Sequence, residues 1–215
     1  MNIQNPLYSK TFKDVLDLGT GDSAFANNFH TKNLYLIDKS FEKINANSLK
    51  LNNHALGING DAHNLPFKDE SIELVLCRKV LHHLQNIQIA KNEIARIIKQ
   101  NGYFYLIDII VDLEDAYYNC ASYFRNRNHI RYYSVNEILD LFRYNFRLVL
   151  YYCKKEEVMF SNWLKNCNNE DKVLIESTFL KMPNKIKKDI ALEISKNNCI
   201  NFFRKEGYFI FQRVR

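Results

Sequence analysis

The chain has 215 residues, 47% of them hydrophobic, and a formal net charge of +6. That length and apolar fraction support a sizeable core, fit one domain with an elaboration better than two full domains, and exclude a disordered chain. No run approaches the ~18 apolar residues of a membrane span, and Met1 to Lys10 has no apolar signal-like stretch. The five cysteines, Cys77, Cys120, Cys153, Cys167 and Cys199, include no Cys-x-x-Cys pair and are odd in number. The expectation is a cytoplasmic protein with neither a zinc site nor a disulfide framework.

Residues 1–12 are a polar lead-in, too short for a full N-terminal lid helix. A first strand, about Asp14 to Leu18, runs into Gly19-Thr20-Gly21, after which the pattern becomes helical to about His30, with Asp22 or Ser23 as its cap. Two glycines one residue apart let the backbone turn sharply and approach a ligand with no Cβ in the way. Gly-x-Gly after a strand also opens dinucleotide sites and ordinary strand-to-helix turns, so the loop alone leaves these alternatives open. Asp17 stands at the carboxyl end of this strand, where open α/β sheets bind ligands.

A second strand, Asn33 to Ile37, ends at Asp38. A carboxylate about 20 residues beyond the first strand suits a bidentate hydrogen bond to ribose hydroxyls; the plain alternative is a helix cap. A helix is expected over Phe41 to Leu51 with Phe41, Ile44 and Leu49 inward, then a short strand at Ala55 to Asn59 that reaches Gly60-Asp61-Ala62, a third acid ending a third strand. Strand four is Ile72 to Cys77, a helix spans about Ile87 to Lys99, and Gln100-Asn101-Gly102 turns into a long apolar strand, Tyr103 to Val111. Strands alternating with helices predict a mainly parallel sheet.

After Val111 the rhythm breaks. Residues 112–133 are polar and aromatic; a helix from Ser134 to about Tyr144 and a strand from Phe146 to Tyr152 follow. Residues 155–206 read as a helical insertion, and Tyr208 to Gln212 as a last strand closing the sheet in an antiparallel hairpin. Charge is uneven: residues 1–111 carry 12 Lys+Arg against 11 Asp+Glu, and 112–215 carry 18 against 13. An anionic substrate, nucleic acid or an acidic partner would suit that excess, and so would lysines scattered on solvated faces.

Three acids in register, Asp17, Asp38 and Asp61, together with Val15 to Ala26, Leu36-Ile37-Asp38, Gly60-Asp61-Ala62 with Leu65-Pro66-Phe67, and Val75 to Leu84, resemble the class I S-adenosylmethionine (SAM) methyltransferases. Within them the chain is similar to the type 11 branch related to ubiquinone/menaquinone-biosynthesis C-methyltransferases. Gln100-Asn101-Gly102-Tyr103 matches the turn before that branch's fifth strand. The stretch Phe124 to Ser134, with Trp163, is similar to a bacterial subgroup of the branch. Ser23 stands where the family pattern usually has a third glycine. The resemblance implies a Rossmann-like α/β fold: a seven-stranded, mostly parallel sheet with an antiparallel last strand and a helical insertion before it. It implies one methyltransferase domain over 1–215, with a SAM-binding core at about 13–111 and substrate loop and lid elements at about 112–133 and 155–206.

By that resemblance Gly19, Thr20 and Gly21 line the methionine and ribose, Asp17 lies near the amino group, and Asp38 holds the ribose hydroxyls. Lys39 flanks the adenine, Asp61 accepts from its amino group, Ala62 contributes backbone, and Arg78 sits beside the cofactor. A ligand with an ammonium, a sulfonium and no phosphate needs acids and close backbone, not a phosphate cradle. The product is S-adenosylhomocysteine (SAH), no metal is expected, and the acceptor is a small molecule, quinone-like or carboxylated. An RNA or protein acceptor, and a non-catalytic SAM-binding scaffold, are the alternatives. His83, after strand four, is the candidate general base, with His82 facing elsewhere; both also suit a plain capping or packing role. His129, Arg131 and Tyr133 are candidate substrate contacts, an Arg there suiting a carboxylate or phosphate. Trp163 suits a packed lid or a cover for an apolar acceptor.

Overall fold

A computed structural model of the protein describes residues 5–21, 25–50, 55–112, 116–194 and 200–215. Strands β1 (Thr11–Leu18), β2 (His30–Asp38), β3 (Ala55–Asn59), β4 (Ile72–Arg78), β5 (Ile98–Ile110), β6 (Phe146–Met159) and β8 (Ile200–Arg213) form one sheet in the order β3-β2-β1-β4-β5-β8-β6, with the short β7 (Glu193–Ile194) beside β8. The first five strands are parallel, and β8 runs antiparallel to both β5 and β6. This is the expected sheet, antiparallel strand included. Chain order reverses at β1, whose neighbours are β2 and β4, and at such a switch point the strand ends splay to leave a crevice.

The central strands are buried on both faces because their apolar residues are continuous rather than alternating. Leu16, Leu18, Val75, Cys77, Phe104 and Leu106 face one core, and Val15, Leu74, Leu76, Tyr105 and Ile107 the other. The first face is covered by α2 (Ile87–Ile97), through Ala90 and Ile94, and by α4 (Val135–Phe142), through Ile138 and Phe142. Helix α4 starts at a complete capping box, with Ser134 and Glu137 each serving the other's backbone N–H, so its register is set by the sequence itself.

The other face departs from the sequence reading. The expected helix up to His30 is, among the described residues, only a 3-10 turn at Phe25–Asn28, and β2 already begins at His30; the expected cap at Asp22 or Ser23 lies outside the described residues. Ala26 and Phe29, with Leu7 from the lead-in, cover this core instead. Helix α1 (Phe41–Lys50) buries Ile44, but Phe41 is 64% exposed rather than inward, since it opens the helix at the solvent side; the side chain of Leu49 lies outside the described residues.

The insertion is also narrower than expected. Strands β6 and β8 run on past the sheet as a paired ribbon, to Met159↔Asn201, so 155–159 and 200–206 are strand. Helices α5 (Phe160–Trp163), α6 (Asn169–Lys181) and α7 (Asn184–Asp189) fill the middle, and the polar-aromatic stretch contains a helix, α3 (Ala116–Arg125). These pieces share a second core in which Tyr118, Trp163, Ile175, Phe179 and Phe202 are buried. Each such side chain contributes about 1.5–3 kcal/mol of burial, which is why the excursion holds its own shape. It stands over the carboxyl ends of the parallel strands. No described helix is long and apolar enough to cross a membrane.

Candidate functional site

Where β1, β2 and β4 end, one cavity of about 630 Å³ opens, lined by Leu18 to Gly21, Ile37 to Lys39, Gly60, Ala62, Arg78 to Val80 and His83 to Gln85, with Asn126 to Asn128 and Ile130 on its far wall. The glycine loop forms its floor. Gly19 and Gly21 have φ of +68° and +54°, the left-handed region that disfavours a side chain. Gly19 N–H and Thr20 N–H both donate to Ile37 O, at 2.7 and 3.2 Å, which ties the loop to the end of β2. The Asp38 carboxylate completes the tie: one oxygen accepts from Gly21 N–H at 3.0 Å and the other from Ser40 N–H, the start of α1, at 2.9 Å.

Past β4 the chain turns through Lys79, a non-glycine residue at φ +58°. Its N–H donates to Ile107 O at 2.7 Å and its ammonium pairs with Glu206 at 2.9 Å, and these bonds hold the strained backbone. The turn drops Val80 onto the loop so closely that a Cβ on Gly19 would meet Val80 Cγ2 at 2.3 Å. Glycine at this position is therefore set by both conformation and space.

The expected cofactor residues divide into two groups. Gly19, Thr20, Gly21, Asp38, Lys39, Ala62 and Arg78 line the cavity; Arg78 also stacks its guanidinium over Phe25, 5.5 Å from the ring centre. Asp17 and Asp61 do not line it. Asp17 is 2% exposed beneath the loop and accepts a 3.4 Å hydrogen bond from Thr20 Oγ1; burial pushes its pKa up to about 7, against the Thr20 bond and the nearby Arg78 charge. Asp61 lies at the rim. Desolvation would raise it, but the His63 backbone N–H, the His63 ring and the Lys39 ammonium, 3.1 Å away, bring it down to about 2. His63 Nε2 accepts from Asn86 N–H at 3.1 Å, at the start of α2, so the rim is braced to that helix.

The acceptor-side expectations are redistributed. His83 lines the cavity, its Nδ1 3.0 Å from Asn128 O, and burial with the neighbouring His82 lowers its pKa, favouring the neutral ring. His82 faces away, as expected, with Nδ1 2.5 Å from the buried Asp108 carboxylate. From the loop after α3, the structure brings Asn126, Arg127, Asn128 and Ile130 to the cavity in place of His129, Arg131 and Tyr133. Arg131 pairs with Glu137 and lies over the Tyr133 ring, Tyr133 packs on the main core, and His129 turns inward against Asn119 Oδ1 at 2.9 Å. Arg127 pairs with Asp171 of α6. Trp163 packs the second core, with Arg125 donating to its carbonyl. Alternation along an irregular loop cannot be read from sequence, so the segment was recognisable and its inward residues were not. The grouping of His129 with His82 and His83 went unread for the same reason.

Residues 16–106 match the family model described as "Methyltransferase domain". The uncharacterized methyltransferase YcgJ of Bacillus subtilis is 34% identical over 89 residues, 40% of this chain and 35% of its own length. The chain thus spans about a third of the length of that curated relative in sequence. In three dimensions the YcgJ crystal structure superposes with a TM-score of 0.88 at 20% identity, covering 97% of this chain and 95% of YcgJ. A Bacillus halodurans protein, BH2331, gives 0.89 at 22% identity over 96% and 94%. The N-methyltransferase NodS of Bradyrhizobium japonicum, solved with SAH, gives 0.58 at 14% identity over 97% and 82%. The fold is that of the class I methyltransferases.

Two outcomes test this geometry. Gly19→Ala should destabilise the fold and close the loop, and adding Val80→Ala should recover part of the loss in melting temperature; equal melting of both variants would mean that Val80 does not set the space. Asp17 has its folded pKa raised above the ordinary 3.8. The stability tied to its proton is complete below that value and lost as pH rises through about 7. Asp17→Asn should therefore gain on the wild type by about 2–4 kcal/mol between pH 5 and pH 8.5 in urea melts, and a constant difference would contradict it.

Proposed function

We propose that this chain, with its methyltransferase domain at residues 16–106, is a SAM-dependent methyltransferase acting on a small anionic acceptor, and that residues 1–215 work as one domain. The observation that carries this reading is the Asp38 carboxylate set against the glycine loop at the mouth of one cavity. In that position it repels a phosphate from Gly21 N–H, while each of its oxygens keeps a lone pair for a ribose hydroxyl. A volume of about 630 Å³ is within the usual range for a cofactor with its substrate.

When bound, SAM supplies an electrophilic methyl group on a sulfonium; the methyl–sulfur bond breaks as the acceptor's bond forms, and SAH remains. The chain's part is positioning. Gly19, Thr20 and Gly21 hold the methionine and ribose side, Asp38 the ribose hydroxyls, and Lys39, Asp61 and Ala62 the adenine side, with Arg78 along the cofactor. Asp61 takes this role from the rim, as its carboxylate is 42% exposed. Asp17 acts from beneath Thr20, where its charge is coupled to that of an ammonium above. His83, neutral and with Nδ1 turned to Asn128 O, offers Nε2 to an acceptor proton.

The anionic acceptor is argued from charge. Lys39, Lys43, Arg78, Lys79 and Arg127 line the cavity, with Asp38 the one lining acid among the described residues; Lys39, Lys79 and Arg127 are also paired with Asp61, Glu206 and Asp171 outside the lining. Arg127 lines the cavity with its guanidinium shared with Asp171, and a donor fork of five N–H groups leaves room for a carboxylate or phosphate beside that pair. Calorimetric titration with SAM, SAH and NAD tests the cofactor: the two adenosyl-sulfur ligands should bind and NAD should not. Asp38→Ala should weaken SAH by about 1.5–3 kcal/mol. Unchanged affinity, or selective NAD binding, would overturn the reading. Arg127→Ala should raise KM for carboxylated acceptors in an SAH-release assay and leave the SAH Kd unaltered.

A further inference from the structure

Beside the cavity, three imidazoles gather from two distant stretches: His82 and His83 from the 3-10 turn Leu81–His83, and His129 from the loop after α3. One ring nitrogen of each lies within 4.8 Å of one from each of the others. The loop is stitched to the turn by Ile130 N–H donating to His82 O at 2.9 Å, so the cluster is built by the fold rather than by loose surface side chains.

Each ring has one nitrogen fixed by an acceptor. His82 Nδ1 lies 2.5 Å from Asp108 Oδ1, His83 Nδ1 3.0 Å from Asn128 O, and His129 Nε2 2.9 Å from Asn119 Oδ1. Asn119 Oδ1 is identified as oxygen because it also accepts Tyr132 N–H at 2.8 Å. A ring that donates from one nitrogen presents a bare lone pair at the other. In the neutral tautomers that these bonds select, His82 Nε2, His83 Nε2 and His129 Nδ1 are the nitrogens left to take a metal ion. Outer acceptors of this kind, carboxylate included, are what orient imidazoles that ligate a metal.

Asp108 supplies an independent observation. It is 1% exposed; its Oδ1 takes His82 and Ile109 N–H, and its buried Oδ2 has no hydrogen-bond partner among the described residues. A buried carboxylate with an orphaned oxygen needs positive charge nearby. A divalent ion behind His82 supplies that charge through a carboxylate–histidine–metal arrangement.

We propose that His82, His83 and His129 form a binding site for a divalent transition-metal ion of the imidazole-preferring kind, zinc first, with Asp108, Asn119 and Asn128 orienting the three rings. Zinc–nitrogen bonds of about 2.0–2.1 Å hold ligand nitrogens about 3.3 Å apart, so the rings, now within 4.8 Å, close by at most about 1.5 Å. Three protein ligands leave a fourth position open. His83 lines the cavity and His82 and His129 lie behind it, so that position faces the acceptor side and suits an oxygen or nitrogen donor. With zinc bound, His83 Nε2 is committed to the ion and cannot also accept a proton, so the base role given above belongs to the metal-free protein; zinc binding itself stands independently of methyl transfer.

The test uses tag-free full-length protein stripped with a chelator and titrated with zinc, and separately with cobalt. The expected result is one equivalent of tight zinc and a visible-region cobalt spectrum of a four-coordinate site. His83→Ala and His129→Ala should each weaken zinc by at least 100-fold with circular dichroism unchanged, and Asp108→Asn by about 10–100-fold. If a variant fails to fold, nitrogen-15 NMR of wild-type histidines decides: zinc should shift His82 Nε2, His83 Nε2 and His129 Nδ1. No zinc uptake, an equivalent that persists in both alanine variants, or unmoved histidine resonances would overturn the proposal. SAH titration in parallel separates this outcome from the cofactor reading, since the glycine loop and Asp38 lie outside the cluster.

Discussion

The Asp38 carboxylate is the tie on which the ligand end of this sheet depends. Parallel pairing brings Leu18 beside Ile37 and Cys77, and Asp38 beside Asn59, but register alone leaves a loop of two glycines free to wander. Asp38 removes that freedom by accepting Gly21 N–H and Ser40 N–H together. The same side chain thus fixes the cavity floor and starts the helix beside it. Hydrogen bonds to a charged acceptor are each worth about 1.5–3 kcal/mol, enough to overcome the entropy of ordering a glycine or two. A carboxylate fixed in that way does not have to be ordered when a ligand arrives.

The rest of the cavity is braced by comparable means from farther along the chain. Glu206 of β8 holds the strained Lys79, Lys79 places Val80, and Val80 closes over Gly19. At the rim, Asp61, His63 and Asn86 link the end of β3 to the cap of α2. These braces reach both the first parallel strands and the last antiparallel one, so the excursion after β5 is structurally part of the site and not an appendage.

What could be read from the sequence follows from which features are local. The strands were legible because a run such as Leu74-Val75-Leu76-Cys77 must be buried on both faces, and Asp17, Asp38 and Asp61 were legible as strand ends because each stands where an apolar run gives way to polar residues or glycine. The helix expected before His30 was not, since three capping-type and small residues fit a helix start and a short turn equally; Phe25 and Phe29 anchor a 3-10 turn instead. Where the insertion expected to be helical over 155–206 begins, Lys154-Lys155-Glu156-Glu157 lacks strand alternation, yet its backbone pairs with β8 throughout. There the ladder, supported by Arg204–Glu156 across the strands, overrides local propensity.

Long-range juxtapositions were the illegible part. Nothing in the spacing of His82, His83 and His129 announces a cluster, and the loop from Asn126 to Tyr133 gives no period from which to tell inward from outward. The fold decides it by the Ile130–His82 backbone bond, which turns His129 under the loop and leaves Arg127 and Asn128 facing the cavity. Arg131, two residues on, is then committed to Glu137, the residue that completes the cap of α4. Alternate basic residues are thereby sorted into different places: Arg127 at the cavity wall, His129 in the buried cluster, Arg131 at the helix cap. The charge excess of the second half is thus spent in distinct places, and among the described residues of that half Arg127 is the charged one that lines the cavity.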